Sequence, residues 1–183
     1  MKTAFIFLAD GFEGIEAVGV ADVLRRADID ALFVSTGDEP CVKDSHNISV
    51  AADLTLADLA SREADAIILP GGMPGSNNLN RNEALKKLIV EHYRKGKLTA
   101  AICAAPIVLG GLGLLKGRSA TCYPGFESQL EGATVSGAPA VTDGNIITGK
   151  SPGSVFDFGL ALVEYLEGRE AADKVAADLC LPA

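Results

Sequence analysis

Cys103 closes an apolar run in the stretch LTAAICAAPIVLGG (98–111), with alanines at 100, 101, 104 and 105 and a proline at 106. A thiol in that setting has two readings. It can be a small buried hydrophobe, because cysteine is among the most buried residue types. It can also be a nucleophile on a tight strand-to-helix turn, where a crowded backbone needs small neighbours and Pro106 suits the first turn of the following helix. In the second reading the helix N-terminus favours the thiolate, and the expected pKa lies below the free-thiol value of about 8.5.

Two acids offer the proton chemistry such a thiol would need. Glu13 and Glu16 lie in GFEGIEAVG, at the start of a helical pattern. Acids there complement the helix dipole. Alternatively one carboxyl turns toward the thiol, and then its pKa rises and it can donate a proton. The stretch ILPGGMPGSNNL places Gly71 and Gly72 after an apolar run. Such a pair can form a plain turn or aim backbone N–H groups at an anion. Neither Gly-rich loop matches GxGxxG or GxxxxGK[ST], so no nucleotide fingerprint is present.

The remaining chemistry-bearing residues have weaker contexts. His92 falls on the apolar stripe of a helix and reads as packed; His46 falls in a hairpin segment and can be exposed. Cys41, Cys122 and Cys180 form no CxxC pair, and Cys122 and Cys180 read as packing residues. No metal-ligand spacing and no cofactor motif is visible.

The elements that must position these residues follow from periodicity. Near-continuous apolar runs at Ala4–Ala9, Ala31–Ser35, Ala66–Leu69 and Leu98–Ile102 predict strands buried on both faces. Helical patterns cover 14–28, 83–95, 153–167 and 169–180. VKDSHNISVAAD and APAVTDGNIITG read as hairpin pieces, the second turning at Asp143-Gly144. This alternation predicts an α/β fold with a mostly parallel sheet in one domain over 1–183. Ligands then sit outside the carboxyl ends of the strands, where the Glu16, Gly71-Gly72 and Cys103 loops all fall.

A chain of 183 residues with 48% hydrophobic and 22% charged residues suits a soluble globular domain. Its net charge of −8, with no Lys/Arg run, argues against nucleic acid and against an anionic membrane surface as partners. The apolar N-terminal run is too short for an export signal, so the expectation is a cytoplasmic protein with free thiols.

Together, ADGFEGIEAVGVADVLRRADI, DAIILPGGMPG, AAICAAP and GKSPGSVFDFGLALVEYLEGRE resemble the ThiJ/PfpI superfamily, and most closely its Parkinson-disease-associated deglycase (DJ-one-like) branch. The resemblance runs along essentially the whole chain in the same order. It implies a flavodoxin-like sandwich with Cys103 at a nucleophile elbow, and a homodimer whose interface uses the first helix and the His46 hairpin. It makes Cys103 the reactive cysteine and Glu16 its protonated partner. Gly72 and Ala104 supply oxyanion-type N–H groups. Gly71, Tyr123, His46, Lys150 and Pro152 are the further residues expected to line the site. Ala104 stands where peptidase members carry His, so a peptidase is not implied. Tyr123 stands where the deglycase branch often has His, and it is a poor base near neutral pH. The implied function is cysteine-dependent detoxification of 2-oxoaldehydes or their adducts, without a cofactor. The alternative is an oxidative-stress sensor or protective protein in which Cys103 oxidises to sulfinate.

Overall fold

The computed structural model describes residues 1–59 and 62–182. In chain order its elements are β1 (Thr3–Leu8), α1 (Gly14–Arg26), β2 (Asp30–Ser35), β3 (Cys41–Lys43), β4 (Ser49–Ala51), β5 (Leu54–Thr55), β6 (Ala66–Leu69), α2 (Gly75–Arg81), α3 (Glu83–Arg94), β7 (Leu98–Ile102), α4 (Pro106–Gly111), β8 (Ser119–Ala120), β9 (Thr134–Val135), β10 (Ala140–Asp143), β11 (Ile146–Gly149), α5 (Val155–Glu167) and α6 (Arg169–Asp178).

Seven strands form one sheet in the order β10-β11-β7-β6-β1-β2-β5, parallel except for β10. Its central strands are the apolar runs of the sequence, and β6 and β7 are buried at every position. Successive side chains of a strand point to opposite faces. In β1, Ala4, Ile6 and Leu8 join the core layer that includes Val20, Val23 and Leu24 of α1 and Phe158 and Leu162 of α5. Phe5 and Phe7 join the opposite layer, with Leu85 and Ile89 of α3 and Val108 of α4. A sheet covered on both faces explains why its strands are continuously apolar rather than alternating.

The two hairpins form as predicted, with one change of register. Asp143 pairs with Ile146, so the two-residue turn is Gly144-Asn145 rather than one centred on Asp143-Gly144. Gly144 takes φ +59 while Asn145 does not have positive φ, as a II′ turn requires. Asp143 is retained by β10 because its carboxylate holds the segment at β8: it accepts from Arg118 at 2.9 Å and from the Ser119 N–H at 2.8 Å. In the other hairpin, Oδ1 of the buried Asp44 accepts from the N–H groups of His46 and Ile48, both at 2.8 Å.

One helix lies outside the predicted patterns, and one expectation needs correction. The Gly75–Arg81 segment is the helix α2. Its glycine and asparagines are poor helix formers, so tertiary contacts rather than propensity hold it. Cys180, read as a packing residue, is exposed beyond the end of α6 with φ +55. The buried positions of α6 are Ala172 and Val175, and the chain leaves that face before reaching the thiol.

Candidate functional site

Three loops at the carboxyl ends of β1, β6 and β7 build the site. Cys103 follows β7 directly and takes φ +64, an uncommon conformation for a side-chain-bearing residue that costs on the order of 1–2 kcal/mol. Neighbouring backbone holds it at both ends. Its N–H donates to the Gly149 carbonyl at the end of β11 (2.9 Å), and its carbonyl accepts from the Tyr123 N–H (2.8 Å). The small residues on either side, Ala104 and Ala105, are buried with it.

Glu16 enters from the first turn of α1 and is fully buried at 0% exposure. Its Oε2 accepts from the Gly71 N–H at 2.7 Å, and its Oε1 has no hydrogen-bond partner among the described residues. Gly71 is where acid and thiol meet. A Cβ built there would lie 2.6 Å from the Cys103 Cβ, 2.7 Å from Glu16 Oε2 and 3.0 Å from the Ile102 carbonyl oxygen. Only a glycine lets the two side chains close on each other at this point.

The site is more enclosed than a thiol at an open strand end: Cys103 is 7% exposed. α4 is also short, six residues beginning three positions after the thiol, so its dipole is a small part of the local field. Burial governs the proton affinities. It pushes the Glu16 carboxyl up to about 7, against the Gly71 N–H and the Cys103 thiol, with the Glu13 carboxylate adding to the rise. Burial and then the Glu16 carboxylate push the Cys103 thiol up, and the N–H groups of Ala104 and Gly72 pull it the other way. The thiol lowered by a helix terminus, expected from the sequence, therefore does not describe Cys103 while Glu16 carries charge. The two groups titrate as a pair that accepts one negative charge readily and a second with difficulty.

The other expected residues take up different positions. Glu13 turns away from the thiol: its carboxylate accepts from Ser45 Oγ at 3.3 Å and lies 3.9 Å from His46 Nδ1. His46 therefore reaches the pair only through Glu13. Tyr123 contributes its main-chain N–H to the elbow, while its ring is partly exposed and packs edge-on to Phe126. Lys150 sends its ammonium to the Gly137 carbonyl at 3.2 Å, and Pro152 opens the turn leading into α5. His92 is packed, its Nε2 bonded to the Leu98 carbonyl at 2.9 Å. Cys122 is buried in the core layer of α3 and α4. The groups that sequence reasoning missed are main-chain ones, the carbonyls of Gly149 and Gly71 and the N–H groups of Tyr123 and Glu13. Residue type carries no signal for them.

Among the described residues, no cluster of His, Cys, Asp or Glu forms a metal-binding group, and no helix is long and apolar enough to cross a membrane.

The DJ-1/PfpI family pattern matches residues 2–165. This chain belongs to the DJ-1/PfpI family. Protein DJ-1 homolog A of Arabidopsis thaliana is 39% identical over 183 residues, which is 98% of this chain and 47% of that relative. The chain thus spans under half the length of homolog A, and likewise of homolog B, where the share is 42%. A Caenorhabditis elegans relative named glutathione-independent glyoxalase DJR-1.2 is 34% identical, over 98% of this chain and 97% of its own length. The structure of oxidized Toxoplasma gondii DJ-1 superimposes with a TM-score of 0.96 at 35% identity, covering 100% of both chains. The mostly parallel seven-stranded sheet is the fold of these DJ-1 proteins.

Proposed function

We propose that this chain is a glutathione-independent glyoxalase of the DJ-1 type, in which Cys103 and Glu16 convert a 2-oxoaldehyde such as methylglyoxal to a 2-hydroxy acid. The observation that carries the reading is the buried thiol–carboxyl pair closed over Gly71, with the Gly71 N–H donated to the carboxyl. In the reactive form the sulfur holds the charge and Glu16 holds the proton. The unpartnered Oε1 supports this assignment, because a protonated carboxyl gains a donor that the adjacent thiolate can accept.

The chemistry then balances with one water and no cofactor. The thiolate adds to the aldehyde carbon, and Glu16 gives its proton to the new alkoxide. The resulting carboxylate takes the hydrogen from that same carbon and returns a proton to the neighbouring carbonyl carbon through an enediol. The first carbon is oxidised to a thioester and the second reduced to an alcohol. Water cleaves the thioester, releasing the hydroxy acid and restoring the thiol. The N–H groups of Gly72 and Ala104 steady the oxygen charge of the addition step in this reading. The name of the C. elegans relative supports the reaction class.

A second reading is favoured by the oxidized state named for the T. gondii neighbour. In it two equivalents of peroxide convert the Cys103 thiol to sulfinic acid and leave two waters, and Glu16 hydrogen-bonds the product. Both readings use one nucleophile, so turnover separates them. Purified protein that produces lactate from methylglyoxal without glutathione, and loses this in Cys103→Ser, supports the enzyme. Peroxide-sensitive protein with no lactate above the Cys103→Ser background supports the sensor instead.

We also propose that the protein pairs with a second copy of itself. α1 and the β3–β4 hairpin frame an apolar groove of about 580 Å³, lined by Ile15, Val18, Ile48 and Val50 with Glu13 and His46 at its edge. Ile15 is 62% and Ile48 60% exposed, a cost to any chain that leaves them uncovered.

A further inference from the structure

The peptide joining Gly71 to Gly72 is held from one side only by the loop after β1. The Glu13 N–H donates to the Gly71 carbonyl at 2.9 Å. The peptide is trans, and in a planar trans peptide the N–H points opposite to the carbonyl. Fixing that carbonyl toward Glu13 therefore fixes the Gly72 N–H away from the Glu13 loop, beside Gly71, where a built Cβ would lie 2.6 Å from the Cys103 Cβ. The Gly72 N–H also lowers the proton affinity of the thiol. Gly72 takes φ +87, and a Cβ on it would collide with the Glu13 nitrogen and lie 2.6 Å from the Phe12 carbonyl carbon, so the two loops touch backbone to backbone.

We propose that the main-chain N–H of Glu13 is a positioning group for Cys103: by holding the Gly71 carbonyl, it turns the Gly71–Gly72 peptide so that the Gly72 N–H meets the sulfur. The same bond leaves the Gly71 N–H, on the preceding peptide, free to serve Glu16. The hairpin braces the arrangement from behind. The Gly11 N–H donates to the Lys43 carbonyl and the Ser45 N–H to the Phe12 carbonyl, both at 2.8 Å. Glu13 thus acts through its backbone, and its carboxylate, engaged by Ser45 and His46, is not the operative group.

The test removes the N–H and keeps the rest of the residue. An amide-to-ester exchange at Glu13, installed in the full chain by nonsense suppression with the hydroxy-acid analogue of glutamate, deletes that donor and weakens the Phe12 carbonyl as an acceptor. Glu13→Pro deletes it by ordinary expression and leaves the Phe12 carbonyl an amide. Glu13→Gln keeps the N–H and removes the charge. The readout is the pH midpoint of Cys103 alkylation by iodoacetamide, corrected with Cys103→Ser variants, with near-UV circular dichroism reporting the fold.

One hydrogen bond to a charged sulfur corresponds to a midpoint shift of about one to two pH units. The ester and Pro variants are expected to rise by that amount, and Glu13→Gln is expected not to rise. A folded ester or Pro variant with an unchanged midpoint overturns the proposal, as does a Glu13→Gln shift as large as theirs. Loss of the fold in both donor-deleted variants also overturns it, since the bond would then be a general structural one. The proposal deepens the Cys103–Glu16 reading, but alkylation needs no turnover. A shifted midpoint in a protein that makes no lactate sinks the reaction and leaves the Glu13 role standing.

Discussion

Glu16 on α1 reaches the loop after β6 and accepts a 2.7 Å hydrogen bond from the Gly71 N–H, while the α-carbon of the same glycine faces the Cys103 Cβ. One residue without a side chain thus separates the acid from the thiol and fixes the acid. Gly71→Ala places a methyl group against both side chains and against the Ile102 carbonyl. The expected result is a stability loss of about 1–3 kcal/mol from overpacking. A fall in kcat/KM on the order of 100-fold from displaced groups should accompany it. Urea unfolding beside methylglyoxal kinetics checks both, and unchanged values refute the packing described.

Glu16 also makes the fold sensitive to pH. An unfolded glutamate ionises near 4.5, whereas burial holds Glu16 up to about 7. An acid raised on folding favours the protonated native state, so stability is highest below the unfolded pKa, falls as pH rises from there to about 7, and is level above. The penalty at pH 8 is on the order of 3 kcal/mol for the raised group. Glu16→Gln keeps an acceptor for the Gly71 N–H and never ionises. It should exceed wild type in stability by a few kcal/mol at pH 8, with the gap closing toward pH 4.5. A gap independent of pH is the contrary result.

The same ionisation should govern rate. The thiol–carboxyl pair loses its first proton near the Glu16 value of about 7, so kcat/KM is expected to climb with pH up to that point and then level off. Glu16→Gln should still react with peroxide at Cys103 but lose lactate formation, because the amide cannot relay the proton. Glu16→Leu removes the proton relay altogether and should lose lactate formation as well. A wild-type profile that is flat from pH 5.5 to 8.5 removes the pair from the mechanism.

Val18→Asp and Ile48→Asp place charge in the apolar groove between α1 and the hairpin, at side chains that are 48% and 60% exposed. Each should convert a dimer to a monomer at micromolar concentration without unfolding it, read by sedimentation velocity. Wild-type protein that sediments as a monomer at the same concentration rules out the self-association.

Much of this was decided by the sequence alone. The apolar runs that became β1, β2, β6 and β7 could be read directly, because a strand covered on both faces has no polar positions to interrupt it. The spacing of Leu85, Leu88, Ile89 and His92 marked α3, and the alanines around Cys103 marked a crowded elbow. Glu16 and Glu13 were indistinguishable by the same means: both are acids at the start of one helix, three residues apart. Only the tertiary structure sends Glu16 inward to Gly71 and Glu13 outward to Ser45 and His46. The exposure of the thiol was likewise beyond local pattern, since it depends on how closely loops from β1, β6 and β7 approach one another. So was the orientation of the Gly72 N–H, which a glycine permits but does not dictate. That orientation comes from a hydrogen bond between two loops about sixty residues apart, where the donor and the acceptor are main-chain groups that every sequence carries.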